Sequence, residues 1–380
     1  MPGSTGKQGD ENRIEGGQVS QRRARADKRS GALASAVGII GEVFMTLAVI
    51  CALYVVWQLW WTGIQAEHSQ LEARQASSWS RPSGGGDKIA QPQKGNPPVQ
   101  PGKAKTGDLI GQIYIPRFGS LWQRNVVEGT DAAQLANAGL GHYPTTQMPG
   151  ELGNVGIAGH RSGYGEPLAH VDEFQAGDAI VLRTKDYWYV YHYTKYKIVL
   201  PEQTDVVAPN PENPTEAATK RMITLTTCEP RYTTATHRWI SWGEFDYWAK
   251  VSDGVPKELA GGKTAGVVFS GKSDDRSLAR LSSLQPVILI LAAAYIIIYL
   301  SALLAWRYPV LREIKSGRRP RPYASIYGWL IRHQSGIAPV RWLLMLLLVL
   351  MAVCALFQWG FPWLASNVPI LQEMSNYVAF

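Results

Sequence analysis

Thr224-Leu225-Thr226-Thr227-Cys228-Glu229-Pro230 is the stretch on which the reading of this chain turns. A β run over residues 222–226 ends in a thiol, and Pro230, which cannot donate to a strand ladder, stops the pairing two residues later. A strand end gives a nucleophile fixed geometry and an open face. The chain has three cysteines; Cys51 and Cys354 lie inside apolar runs, so no disulfide framework can be built and Cys228 stands alone in the water-soluble part. A lone thiol in such a domain is either buried and inert or kept for its chemistry.

Upstream, Ile157-Ala158-Gly159-His160-Arg161 is again a strand running into a Gly-His turn, which could hold an imidazole at the same rim of a β structure. The thiolate is the attacking species, and a nearby His or Arg lowers the cost of forming it. Downstream, His237-Arg238 opens the next β run and brings a guanidinium within reach if that strand pairs beside the Cys228 strand. Arg donates in a planar fork and can hold a carbonyl or a developing oxyanion. Each residue taken singly has a structural reading too: Cys228 as core, His160 as the end of a turn, Arg238 as a solvated charge. Arg231 also follows Cys228, but in the expected turn at Pro230, so Arg238 is the favoured guanidinium.

Around these segments, residues 108–250 have globular composition, with short runs at 109–115, 155–158, 179–182, 187–199, 222–226 and 238–245 separated by Gly, Pro and Asp turns. They are rich in Tyr, Trp, Val, Ile and Thr, which favours strands. Many short strands at regular spacing imply a closed or nearly closed β barrel. Residues 131–138 alone read as a helix, between Asp131 and Gly139.

The rest of the 380 residues organises around a membrane. Segments 36–62, 284–306 and 342–364 each hold about 20 uncharged apolar residues, enough to cross a bilayer. Arg22, Arg23, Arg25, Lys28 and Arg29 precede the first, and the loop 307–341 carries Arg307, Arg312, Lys315, Arg318, Arg319, Arg321, Arg332 and Arg341. Both basic stretches should face the cytoplasm, leaving the 108–250 domain and the short tail 365–380 outside. A net charge of +8 that clusters beside apolar runs speaks for topology and against a nucleic-acid face. A cleavable signal peptide is the competing reading of the first segment, but its apolar run exceeds the usual 7–15 residues or so and ends in Trp57, Trp60 and Trp61. Glu42 reads as solvated at the interface. Residues 63–107, with Gly84-Gly85-Gly86 and Asn96-Pro97-Pro98, read as a flexible stalk, and 251–283 as a linker back to the membrane.

Thr-Leu-Thr-Thr-Cys at 224–228, with Gly159-His160 upstream and Arg238 downstream, resembles the signature of the sortase family. Ile113-Tyr114-Ile115-Pro116, Gly141-His142-Tyr143-Pro144 and the stretch from Ala158 to Gly165 look most like class E sortases of actinobacteria. The likeness covers residues 108–248, about a third of the chain. It implies a mainly β fold, the eight-stranded sortase barrel with short helices beside three transmembrane α-helices, and the catalytic set Cys228, His160 and Arg238. The resemblance further implies a cysteine transpeptidase that cuts a Leu-x-x-Thr-Gly sorting signal of secreted proteins after Thr and joins it to an amine, from a cell-wall precursor or from a pilin Lys. Tyr164 matches a class E tyrosine linked to Ala at the second signal position. With Thr226, Thr227 and His142 it completes the expected substrate-binding set, whereas His170 is expected on the surface. Two spans after the barrel resemble pilin-joining members, yet the Asp-Pro pair of their lid is missing from the sequence, so cell-wall anchoring is favoured. No cofactor and no metal is expected. A membrane-bound cysteine hydrolase and a non-catalytic peptide sensor are the readings from other classes.

Overall fold

The computed structural model describes residues 8–79, 88–120, 122–260, 283–369 and 371, with only the backbone for 8–31. Expectations for residues 80–87, for 261–282 of the linker and for 372–380 of the tail fall outside the described residues. The chain divides into two units, Met1–Tyr54 with Leu284–Leu356, and Val55–Ser283 with Phe357–Phe380.

In the first unit α1 (Gln8–Val56) supplies most of one apolar helix, and α4 (Gln285–Ala305) packs against α7 (Ala338–Ala355). Three helical stretches are long and apolar enough to cross a membrane: Ala32–Ala76, Gln285–Ala305 and Ala338–Asn367. Between α4 and α7 lie α5 (Pro309–Lys315) and α6 (Ile326–Arg332), two short helices in the basic loop. Glu42 is not simply solvated. Its carboxylate accepts from the Ser325 hydroxyl and the Ile326 amide, both at 2.6 Å, while Ser325 caps α6 by accepting from the Gly328 amide.

The second unit is a closed barrel of eight strands in the order β1-β2-β3-β4-β7-β8-β6-β5. These are β1 (Leu109–Tyr114), β2 (Gln123–Glu128), β3 (Leu140–His142), β4 (Gly153–Gly159), β5 (Ala179–Arg183), β6 (Tyr187–Val199), β7 (Arg221–Glu229) and β8 (His237–Lys250). Only β2–β3 and β4–β7 run parallel. Alternation along each strand sends Ile113, Val126, Leu140, Ile157, Ile180, Leu182, Ile223 and Leu225 into one buried core. Truncating one such side chain to Ala costs about 2–5 kcal/mol through lost transfer energy and the cavity left behind. Helix α3 (Ala132–Asn137) follows Asp131, which sits in extended backbone at the N-cap position. β2 and β3 escape the sequence pattern, since β2 carries polar Gln123, Arg124 and Asn125 and β3 is three residues long.

The stalk differs most from expectation. The first helix does not stop near Trp61; it passes through a π turn (Trp57–Trp61) into α2 (Thr62–Ala76), whose Ala, Gln, Glu and Leu residues continue a helix readily. Gln70 of α2 is buried against β2, where its carbonyl accepts from the Asn125 side-chain amide at 3.0 Å and its Oε1 from the Asn125 backbone at 3.1 Å. A second π turn, Leu356–Gly360, leads into α8 (Phe361–Asn367); Trp57 packs on Phe361 and Trp61 on Phe357, with centroids 6.0 and 6.1 Å apart. Farther along, Ala90 donates to the Val255 carbonyl at 2.8 Å, and the Pro98 carbonyl accepts from the Tyr189 hydroxyl at 2.8 Å. The cause lies in the barrel: Val181, Trp188, Val190 and Tyr247 form a second apolar face, and Ala90 with Val255 and Leu259 covers it.

Candidate active site

β7 ends between β4 and β8, and the register of both ladders decides what meets there. Across the antiparallel pair, Cys228 stands directly opposite Arg238, which puts their Cβ atoms about 5 Å apart on one face. On the other side, β4 runs parallel with Ala158 beside Thr226. The Thr227 hydroxyl donates to the Gly159 carbonyl at 2.7 Å and ties the two strand ends together. Continuing that register by two residues brings His160 level with Cys228. Because Ile223 and Leu225 point into the core, Thr224, Thr226 and Cys228 point out of the barrel. Cys228 and Arg238 therefore share the outer face at the end of β7, and His160 directly follows the end of the neighbouring strand β4.

Cys228 is half-buried and makes no disulfide. His160 is 7% exposed, and among the described residues its Nε2 has no hydrogen-bond partner. Burial lowers its pKa from 6.5 to about 4, because the imidazolium would lose its hydration. The Tyr164 ring lies on the imidazole at a centroid distance of 4.6 Å and an angle of 34°. Tyr164 and Glu166 adopt φ values of 51° and 46°. The left-handed region costs a non-glycine residue about 1–2 kcal/mol, so surrounding contacts must hold this loop.

Two guanidiniums near the site are already engaged. Arg231 donates to Glu166 Oε2 at 2.7 Å, and its guanidinium also lies 4.9 Å from the Tyr232 ring. Arg161, next to His160, pairs with Glu229, next to Cys228, and lies 4.9 Å from the Trp239 ring, next to Arg238. Sequence reading passed over that lattice, although residues of opposite charge flanking the thiol and the imidazole were a visible signal. Arg238, by contrast, donates among the described residues to the neighbouring His237 carbonyl, at 3.0 Å, and most of its fork is uncommitted there.

Two residues expected to contact substrate, His142 and Thr227, have partners within the barrel. His142 is buried, with Nδ1 2.9 Å from Glu128 Oε2 and Nε2 3.0 Å from the Gln147 carbonyl, so neither ring nitrogen is open to a substrate. It pairs opposite Ile157, a core residue, which explains why a family-like motif residue turns inward here. Thr227 also faces inward and serves the β4–β7 tie. Thr226 faces outward, beneath Cys228, and shares a 2.9 Å hydrogen bond with the Tyr143 hydroxyl. His170 lies at the surface beside Glu173. Among the described residues one group of three could hold a metal, His192, Asp246 and Glu258, with ligand atoms within 4.8 Å of one another; it involves none of the residues at the end of β7.

Comparison with known proteins settles the kinship. A family model described as a sortase domain matches residues 113–246. Sortase SrtE2 of Streptomyces coelicolor is 34% identical over 250 residues, covering 62% of this chain and 93% of the relative. The chain belongs to the sortase family. Sortases are transpeptidases, and a second relative, sortase SrtE1 of the same organism, is 33% identical over 247 residues, 63% of this chain and 65% of its own length. Both names agree with the class E likeness of the motifs. Among solved structures, the SrtA sortase from Actinomyces oris is 37% identical, covering 45% of this chain and 98% of that chain, with a TM-score of 0.42. Sortase E from Streptomyces avermitilis is 36% identical, covering 41% and 99%, with a TM-score of 0.37.

Proposed function

We propose that this sortase is held in the cell membrane by its three apolar helices, with the barrel outside, and that it cuts a Leu-x-x-Thr-Gly signal after Thr and transfers the protein to a cell-wall amine. The observation that carries the reading is the register that sets Cys228 opposite Arg238 at the end of β7, beside β4, which His160 directly follows. The basic stretches before the first span and between the last two support that orientation.

Cys228 is the nucleophile. Its proton goes to His160, which burial keeps neutral at rest; burial alone opposes the imidazolium, and the thiolate formed beside it offsets that cost. The thiolate sulfur bonds to the Thr carbonyl carbon, and Arg238 donates to the oxyanion that develops. As the C–N bond to Gly breaks, His160 gives its proton to the leaving amine, and a thioester remains. An acceptor amine attacks this thioester, His160 takes the amine proton, and the C–S bond breaks to regenerate the thiolate. A held amine outcompetes water through its effective concentration. Tyr164, whose ring packs on His160, is assigned to the wall beside the second signal position and restricts it to small residues such as Ala.

The full-length protein is tested in detergent with Leu-Ala-x-Thr-Gly and Leu-Pro-x-Thr-Gly peptides, with and without diglycine or diaminopimelate. Amine-dependent ligation, faster for the Ala signal, is the expected outcome. Hydrolysis that ignores added amine would reassign the protein as a hydrolase.

A further inference from the structure

The loop after His160 holds an unusual run of backbone. Gly163, Tyr164, Gly165 and Glu166 all have positive φ, at 68°, 51°, 77° and 46°. Two of the four are not glycine, and a conformation of this kind persists only where its surroundings impose it. The barrel supplies one side of that restraint. Arg124 donates to the Gly165 carbonyl at 3.2 Å, and Arg231 to Glu166 at 2.7 Å.

The other side comes from outside the barrel, from the start of α2. The Tyr164 amide donates to Thr62 Oγ1 at 3.0 Å, while the same hydroxyl donates to the Gln58 carbonyl at 2.7 Å, so its acceptor and its donor are both committed. Thr62 is fully buried. One residue on, the helix touches the loop through backbone: a Cβ at Gly63 would come within 3.3 Å of Gly165 Cα and N. Gln58 fills the remaining gap, since a Cβ at Gly163 would meet its side-chain amide at 3.1 Å. The tight side is Gly63; at Gly165 a Cβ would stand 3.8 Å from Gly63 Cα, and there it is the φ of 77° that favours glycine.

Resting on the sortase reading above, we infer that Thr62 and Gly63 are positioning residues for catalysis: the helix that leaves the first span fixes the left-handed loop that seats Tyr164 on His160. The helix is thus part of the active-site scaffold as well as a tether. Thr62 touches no reacting atom, and its effect passes through Tyr164 to the orientation of the imidazole. Misplacing a catalytic group by about 1 Å can cost on the order of 100-fold in rate.

The test measures kcat and KM for peptide ligation by full-length protein in nanodiscs, for the wild type, Thr62→Val and Thr62→Ser. Thr62→Val keeps the shape and removes the acceptor. The expected result is a kcat lower by about tenfold or more with KM within about twofold, in a protein that stays folded at the assay temperature with a melting temperature lowered by no more than about 10 °C, and recovery in Thr62→Ser. A Thr62→Val protein that turns over like the wild type overturns the inference. Should Thr62→Val fail to fold, Gly63→Ala decides: its methyl presses on Gly165, so a lower kcat in a folded protein supports the role and an unchanged kcat refutes it. The parent reading fails separately, if the wild type itself ligates nothing.

Discussion

His142 and His160 are both buried in the same barrel, one at the end of β3 and the other just past the end of β4, yet their surroundings are opposite. His142 has a carboxylate on one nitrogen and a carbonyl on the other. His160 has an aromatic ring on its face and an Nε2 with no partner among the described residues. A buried polar atom left without a partner costs about 1–3 kcal/mol, and a fold keeps such a cost where the atom has other work. On the proposed reading, complete satisfaction marks a structural histidine, and the partnerless nitrogen marks the one that exchanges a proton.

The widest separation between the two should appear in turnover. His160→Ala is expected to lower kcat/KM by about 1,000-fold or more, as for loss of a general acid–base. His142→Gln should stay within about threefold per folded molecule and lose about 1–3 kcal/mol of stability in urea titration. Equal losses of activity would erase the distinction.

The next effect is on stability against pH. His160 has its pKa lowered to about 4 in the fold, against an unfolded value of 6.5, so between those values the unfolded chain binds a proton that the folded one refuses. Unfolding free energy therefore falls as pH drops through this window, by up to about 3 kcal/mol from this group. Melting curves from pH 7 to pH 4 should show that slope in the wild type and a shallower one in His160→Gln. Parallel slopes would mean that the imidazole is not sequestered as described.

Arg238 and Arg231 repeat the contrast among guanidiniums, one open and one committed to Glu166. Arg238→Lys should lower kcat by about 100-fold, as for loss of an oxyanion donor, while Arg231→Lys should change it severalfold at most. Smallest of all is the pair of threonines. Thr227→Val breaks the tie to Gly159 and should cost about 1 kcal/mol in denaturant midpoint, with Thr226→Val below that.

Much of this was legible in the residues. Gly159-His160, Cys228 and Arg238 stand at strand ends, and strand pairing converts those ends into neighbours. The direction of each side chain was harder to read. Met222, Ile223, Leu225 and Ile240 are all buried, on two different faces, so the apolar pattern of β7 and β8 does not say which threonine faces the site. Likeness of motif placed His142 on the groove, but motif likeness carries no information about a ring that Glu128 and Gln147 enclose. The stalk was misread for a related reason. Few large apolar side chains are needed where Ala90 and a main-chain carbonyl such as Pro98 suffice to dock on an outward apolar face. Contacts between α2 and the loop at 163–166 join residues about a hundred positions apart, and no local pattern announces them.

The claim at the centre is that Cys228 forms a thioester with help from its two neighbours. Full-length protein is mixed with a Leu-Ala-x-Thr-Gly peptide without added amine, quenched in acid and digested for mass spectrometry. We expect the acyl mass on the fragment that carries Cys228, its absence in Cys228→Ala and its strong reduction in His160→Ala and Arg238→Lys. An unmodified Cys228 in the wild type, or an adduct that survives in Cys228→Ala, would contradict the account.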